Sequence, residues 1–114
     1  MRRPFEEMSG LDRLVHDPSR LSILTALSAC RSADFSFLQS LTGLTKGNLS
    51  GHLGKLEQAG LVTIHKSFRG KLPQTIIALS TEGRNAIKQH WKRLHELRRA
   101  ADVWTKGQPN LIEG

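Results

Sequence analysis

Between Leu44 and Gly60 the chain reads LTKGNLSGHLGKLEQAG, and its polar side chains are of the kinds that bind rather than react. Leu49, Leu53 and Leu56 recur at i, i+4 and i+7, so they share one stripe at the 3.6-residue period and face a core. The opposite face carries Gly47, Gly51, Gly54 and Gln58, flanked by Asn48, Ser50, His52 and Lys55. Asn, Ser and His can each donate or accept a hydrogen bond, and Lys adds a positive charge. A helix-interior Gly costs roughly 1 kcal/mol relative to Ala. Three on one exposed face therefore need a reason, and close approach to another backbone is one. A second polar set lies at Lys66, Arg69 and Lys71, around the segment Ser67-Phe68-Arg69-Gly70-Lys71-Leu72-Pro73.

The elements that hold these residues can be read from local rules. Thr45 suits an N-cap, Gly43 relieves the turn before it, and Gly60 supplies a left-handed stop, which bounds a helix over 45–59. With the short helix Phe35 to Thr42 ahead of it, capped by Asp34 and turning Phe37, Leu38 and Leu41 inward, this is the pattern of a helix-turn-helix. Its second helix would enter a major groove. An αα-hairpin that merely packs would show the same stripe.

Upstream, Phe5, Met8, Leu11, Leu14 and Val15 have helical spacing, broken at Ser9-Gly10. Asp17-Pro18 then starts a helix to Ala29 that buries Leu21, Leu24 and Leu27, with Ile23 and Ala26 widening the stripe. A loop near 31–33 follows. Past Gly60 the pattern becomes β-prone over 61–66 and 74–79, predicting a two-stranded hairpin with a flexible basic tip. A lone hairpin is marginal in water and must lean on the helices. Its tip, 66–74, reads as a wing lying on a phosphate backbone or entering a minor groove, or else as a solvated basic turn. Ser80 or Thr81 caps a last helix to about Trp104. In that helix Ile87, His90, Leu94, Leu97, Ala101 and Trp104 recur at heptad spacing, with Trp91 broadening the seam. That seam fits a dimer interface, or burial on the N-terminal helix. The predicted layout is one domain over 1–104 and a disordered tail over 105–114.

Composition agrees with an anionic partner. Of 114 residues, 17 are Lys or Arg and 10 are Asp or Glu, a net charge of +7, with a pI near 10.3. The excess lies late in the chain: residues 1–60 hold 7 basic and 6 acidic side chains, residues 61–114 hold 10 and 4. No apolar run reaches the roughly 18 to 20 residues of a membrane span, and Arg2-Arg3 is not followed by a signal-peptide core, so a cytoplasmic protein is expected. Cys30 stands alone and cannot form an internal disulfide.

The order helix, helix, LTGLTKGNLSGHLGKLEQAGLV, basic hairpin, STEGRNAI resembles the winged helix-turn-helix transcriptional regulators of the MarR and ArsR type, particularly their small single-domain group. The similarity spans about Leu11 to Trp104, most tellingly HDPSRLSILTAL, LTKGNLSGHLGKLEQAGLV and LSTEGR. It implies an α+β fold, mainly α with a small β-hairpin, and a long C-terminal dimerisation helix. By the same resemblance Thr45, Lys46, Asn48, Ser50, His52 and Lys55 match recognition-helix positions, and Arg69 and Lys71 match the wing tip. Homodimers joined through terminal helices are typical of the family. Gly54 departs from it, since relatives often carry a larger polar or basic residue there. Side-chain readout of bases would be thinner, and shape and phosphate contacts would carry more of the binding.

Nothing points to catalysis or a cofactor. His16, His52, His65, His90 and His95 are scattered, without a Ser/His/Asp set, paired carboxylates or a phosphate-cradling Gly loop. One Cys, and two His five residues apart at His90 and His95, make a poor metal set. The expected function is a homodimer binding a pseudo-palindromic double-stranded DNA operator. The alternative is a winged-helix protein-interaction module without specific DNA binding. Any small-molecule effector, the operator sequence and the sign of regulation are not encoded legibly.

Overall fold

Four of the chain's helices begin where a short polar side chain can hold the free amides of the first turn. The computed structural model describes residues 10–106, in the order α1 (Gly10–His16), α2 (Pro18–Ser28), β1 (Ala33–Asp34), α3 (Phe35–Thr42), α4 (Lys46–Gln58), β2 (Val62–Arg69), β3 (Leu72–Leu79) and α5 (Thr81–Lys106). Asp17 accepts from the amides of Ser19 (2.9 Å) and Arg20 (3.1 Å), Asp34 from Phe37 (2.7 Å), Thr45 from Asn48 (3.1 Å) and Ser80 from Gly83 (2.9 Å). The cap of the last helix is therefore Ser80 rather than Thr81. Phe5 and Met8, and the tail from residue 107 onward, lie outside the described residues; Thr105 and Lys106 finish α5.

The core gathers one stripe from each element. Ile23, Leu24 and Leu27 of α2, Leu38 of α3, Leu49, Leu53 and Leu56 of α4, Ile77 and Leu79 of β3, and Ile87 of α5 are buried together. For α4 the balance is simple. Three glycines cost it roughly 3 kcal/mol of helix propensity, and three buried leucines return roughly 1.5–3 kcal/mol each. Packing, not propensity, makes this helix.

Two expectations need correction. Phe37 and Leu41, predicted to point inward, are 54% and 58% exposed. An eight-residue helix laid across a core finds room for one row of side chains, and Leu38 takes it. The sheet has three strands, not two: Ala33, read as loop, and Asp34, read only as a helix cap, pair antiparallel with Ile77 and Ile76, giving the order β1-β3-β2. The hairpin is also tighter than predicted. β2 and β3 pair from Val62 and Leu79 out to Arg69 and Leu72, leaving only Gly70-Lys71 as the turn. Gly70 has φ +65°, a positive angle at the first turn position, as the type II′ hairpin requires.

The exit of α4 is joined to the start of α5. Gly60, at φ +78°, closes the helix with Gly60 N–H to Glu57 C=O and Leu61 N–H to Leu56 C=O, both 2.9 Å, the paired bonds of a Schellman motif. Ser80 then donates its hydroxyl to Gly60 C=O (2.6 Å) and its amide to Leu61 C=O (3.0 Å). Gly83 packs so closely on this turn that a Cβ there would collide with the Leu61 carbonyl.

Candidate nucleic-acid interface

The apolar stripe of α4 fixes where its polar side chains go, and they divide into three sets. Lys46, Ser50 and Gly54 face the hairpin. With Lys66, Arg69 and Leu72 they line an open groove of about 680 Å³ between α4 and the strands. Gly47, Gly51 and Gly54 are exposed, and a Cβ added at any of them would meet nothing within 4 Å. No packing inside the chain requires them to be small. Asn48 and Lys55 are exposed on the other flank.

His52 is the exception among the predicted recognition residues, because it turns half-buried toward α2. Its Nδ1 lies 3.3 Å from Nη1 of Arg20. Arg20 is itself only 12% exposed as a side chain. Its Nε donates to Leu14 C=O in α1 (2.6 Å), and its Nη2 stands 3.9 Å from Asp17 Oδ2. Burial raises the Asp17 pKa, but the Arg20 amide, the Arg20 guanidinium, the neighbouring His52 and the Ser19 amide together outweigh it. The net effect holds Asp17 below the usual aspartate value.

Residues 65–73 of the hairpin are exposed throughout, so Lys66, Arg69 and Lys71 project together with Phe68 and Leu72, the last two each 71% exposed. Arg69 thus shares the groove with α4, whereas Lys71 sits in the turn itself. Thr45 is committed to its cap.

The heptad seam of α5 is divided. Ile87 and His90, predicted at a dimer interface, are each 3% exposed in this chain's own core, and the His90 ring lies 5.4 Å from that of His16 in α1. These two residues of the expected interface are therefore taken up by the chain's own core, where α1 reaches the third turn of α5. Leu94 and Leu97 are half-buried, and Trp91, Ala101 and Trp104 are exposed. Among the described residues no group of three or more His, Cys, Asp or Glu could hold a metal ion, and no described helix is long and apolar enough to cross a membrane.

A helix-turn-helix followed by a basic antiparallel ribbon against its second helix is the geometry that a family model described as "Winged helix DNA-binding domain" matches over residues 19–98. The chain belongs to that family. An uncharacterised protein of Methanocaldococcus jannaschii is 38% identical over 71 residues, 62% of this chain and 77% of its own. The structure of a transcriptional regulator homologue from Pyrococcus horikoshii OT3 has a TM-score of 0.75 at 31% identity, covering 79% of this chain and 89% of that one. The repressor CouR, solved bound to a 23-mer DNA duplex, has a TM-score of 0.67 at 22% identity over 95% of this chain and 76% of that one, a likeness of fold alone. Where a role is stated for these relatives it is that of a transcriptional regulator. In the terms of the winged-helix fold α4 is the second helix of the helix-turn-helix and 66–74 the wing.

Two residues that organise the winged helix escaped sequence reasoning. Arg20 bonds to α1 and approaches α4 from α2, and only its being the one charged residue of the helix 18–28 hinted at it. Gly83 was visible only as part of LSTEGR, with no local reason for its size.

Proposed function

We propose that this winged helix is a homodimeric regulator that binds double-stranded DNA at a specific, pseudo-palindromic operator. The observation that carries the reading is the cationic groove between α4 and the wing, lined by Lys46, Lys66 and Arg69 beside an open glycine ridge. Phosphates attract such cations, and a helix face without side chains admits close approach to the floor of a major groove. Lys46, Lys55, Arg69 and Lys71 supply salt-sensitive affinity, and Asn48, Ser50 and His52 supply side-chain readout. CouR, which shares the fold, was solved bound to a DNA duplex, which supports duplex DNA as the partner here. Two copies joined along α5 from Trp91 onward would set two recognition helices about one helical turn of DNA apart.

Selection of bound fragments from genomic DNA, followed by titration at two salt concentrations, tests this. The expected result is one pseudo-palindrome bound at least about 10³-fold above random DNA. Arg69→Ala should weaken binding to all sequences alike and lower the salt slope by about 1, whereas Asn48→Ala should alter the preference between operator and mutated operator. Weak binding, equal on all DNA and gone at moderate salt, would overturn the proposal. It would favour a protein-interaction module, for which the open ridge at Gly47, Gly51 and Gly54 is also suited.

A further inference from the structure

We infer that Arg20 is a positioning residue for the recognition helix: it fixes His52 as an Nε2–H donor, matched to the acceptor edge of a purine in the major groove. The inference rests on the DNA-binding reading above and adds to it the protonation and polarity of one contact.

A guanidinium has only donors to offer. Arg20 Nη1 stands 3.3 Å from His52 Nδ1, so the ring nitrogen must accept, and a neutral imidazole that accepts at Nδ1 carries its proton at Nε2. The donor is not free to drift away. Its Nε is held by Leu14 C=O at 2.6 Å, its other arm leans toward Asp17 Oδ2 at 3.9 Å, and the amide of the same residue is bonded to Asp17 Oδ1. An arginine so little exposed is a fixed template, not a solvated tether. The ring it holds rises from the flank of α4 next to the buried row Leu49, Leu53 and Leu56, so its inner edge faces α2 and no second described group hydrogen-bonds to it. With Nδ1 engaged by Arg20, Nε2 is the ring nitrogen left for a ligand.

A single fixed donor discriminates by sign. Purine N7 accepts in the major groove, and guanine O6 adds a second acceptor, whereas cytosine presents its N4 amine as a donor. A His52 free to change tautomer could accept from that amine; one locked at Nε2–H cannot. The selectivity therefore comes from a residue that never touches DNA.

The test has one arm without DNA and one with it. Long-range ¹⁵N–¹H correlation spectra of the full chain at neutral pH, with His52 assigned by its disappearance in His52→Gln, should show the Nε2–H tautomer. Arg20→Met should give a mixture of tautomers or a charged ring. A wild-type ring that is Nδ1–H, or already a mixture, overturns the inference, and that result does not depend on whether the Met variant folds. On DNA, the wild type should prefer purine over cytosine at one position per half-site by roughly tenfold, and Arg20→Met should lose that preference while keeping its salt slope. Arg20→Lys keeps a donor and should retain part of the preference. Preference retained in full by an Arg20→Met variant that unfolds at the wild-type temperature overturns the positioning role. Absence of any preferred duplex for the wild type would instead overturn the regulator reading and the purine contact with it, leaving the tautomer result to stand by itself.

Discussion

At the scale of single residues, what could be read from sequence was what a rule of three or four residues could reach. Asp17, Asp34 and Thr45 were legible as caps because each accepts from an amide two or three residues ahead, and Gly60 because it ends a periodic run. Gly83 was not, because the atom that demands a glycine is the carbonyl of Leu61, 22 positions back. Its substitution is correspondingly severe. Gly83→Ala drives a methyl into backbone that is itself bonded to Ser80 and cannot give way. A loss of about 3 kcal/mol, the upper end of overpacking, is expected in denaturant unfolding, and a fall in Tm of more than about 10 °C. A loss under about 1 kcal/mol would mean that the α4–α5 junction is soft. Arg20 was illegible for the same reason, since its partner His52 lies 32 positions away.

At the scale of elements, the leucine stripe of α4 was read correctly because three positions of one residue type fix a face regardless of what they pack against. α3 was read wrongly at Phe37 and Leu41, because an eight-residue helix with several apolar faces does not declare which one the core will take. β1 was missed altogether, since two residues carry no periodicity and are a strand only because Ile76 and Ile77 lie alongside. The glycines of α4 allow stability and binding to be separated. Gly51 is helical and its surroundings are open, so Gly51→Ala should raise the stability of the isolated protein by about 0.5–1 kcal/mol. If the ridge lies against DNA, the same methyl must weaken operator binding, opposite in sign to its effect on folding. Chemical unfolding and a binding titration on one preparation measure both. An alanine variant that is more stable and binds as well as the wild type would show that the ridge does not meet the groove.

At the scale of the whole molecule, α5 exceeds the body that begins it. The radius of gyration is 17.7 Å, against about 13 Å for a compact chain of this length, and the excess follows from a 26-residue helix whose first turns alone are covered by α1 and α2. Periodicity predicted the seam but could not say where the chain's own core would stop using it. The structure puts that boundary between His90 and Trp91, where burial gives way to exposure. From there to Trp104 the helix runs on for about 20 Å, with Trp91, Leu94, Leu97, Ala101 and Trp104 recurring along it. Val103 and Trp104 are 73% and 60% exposed, apolar surface open to a partner. If a second copy covers it, Trp104→Glu should raise the dimer dissociation constant at least about tenfold, as expected for loss of a buried aromatic anchor. Sedimentation equilibrium would read that change. The unfolding free energy of the monomeric core should stay within about 0.5 kcal/mol, because Trp104 contributes nothing to that core. Affinity for a single half-site should also survive, while affinity for the full palindrome falls with the loss of the second subunit. A wild-type protein that remains monomeric at tens of micromolar, or a Trp104→Glu variant that dimerises as well as its parent, would place the subunit contact somewhere other than on α5.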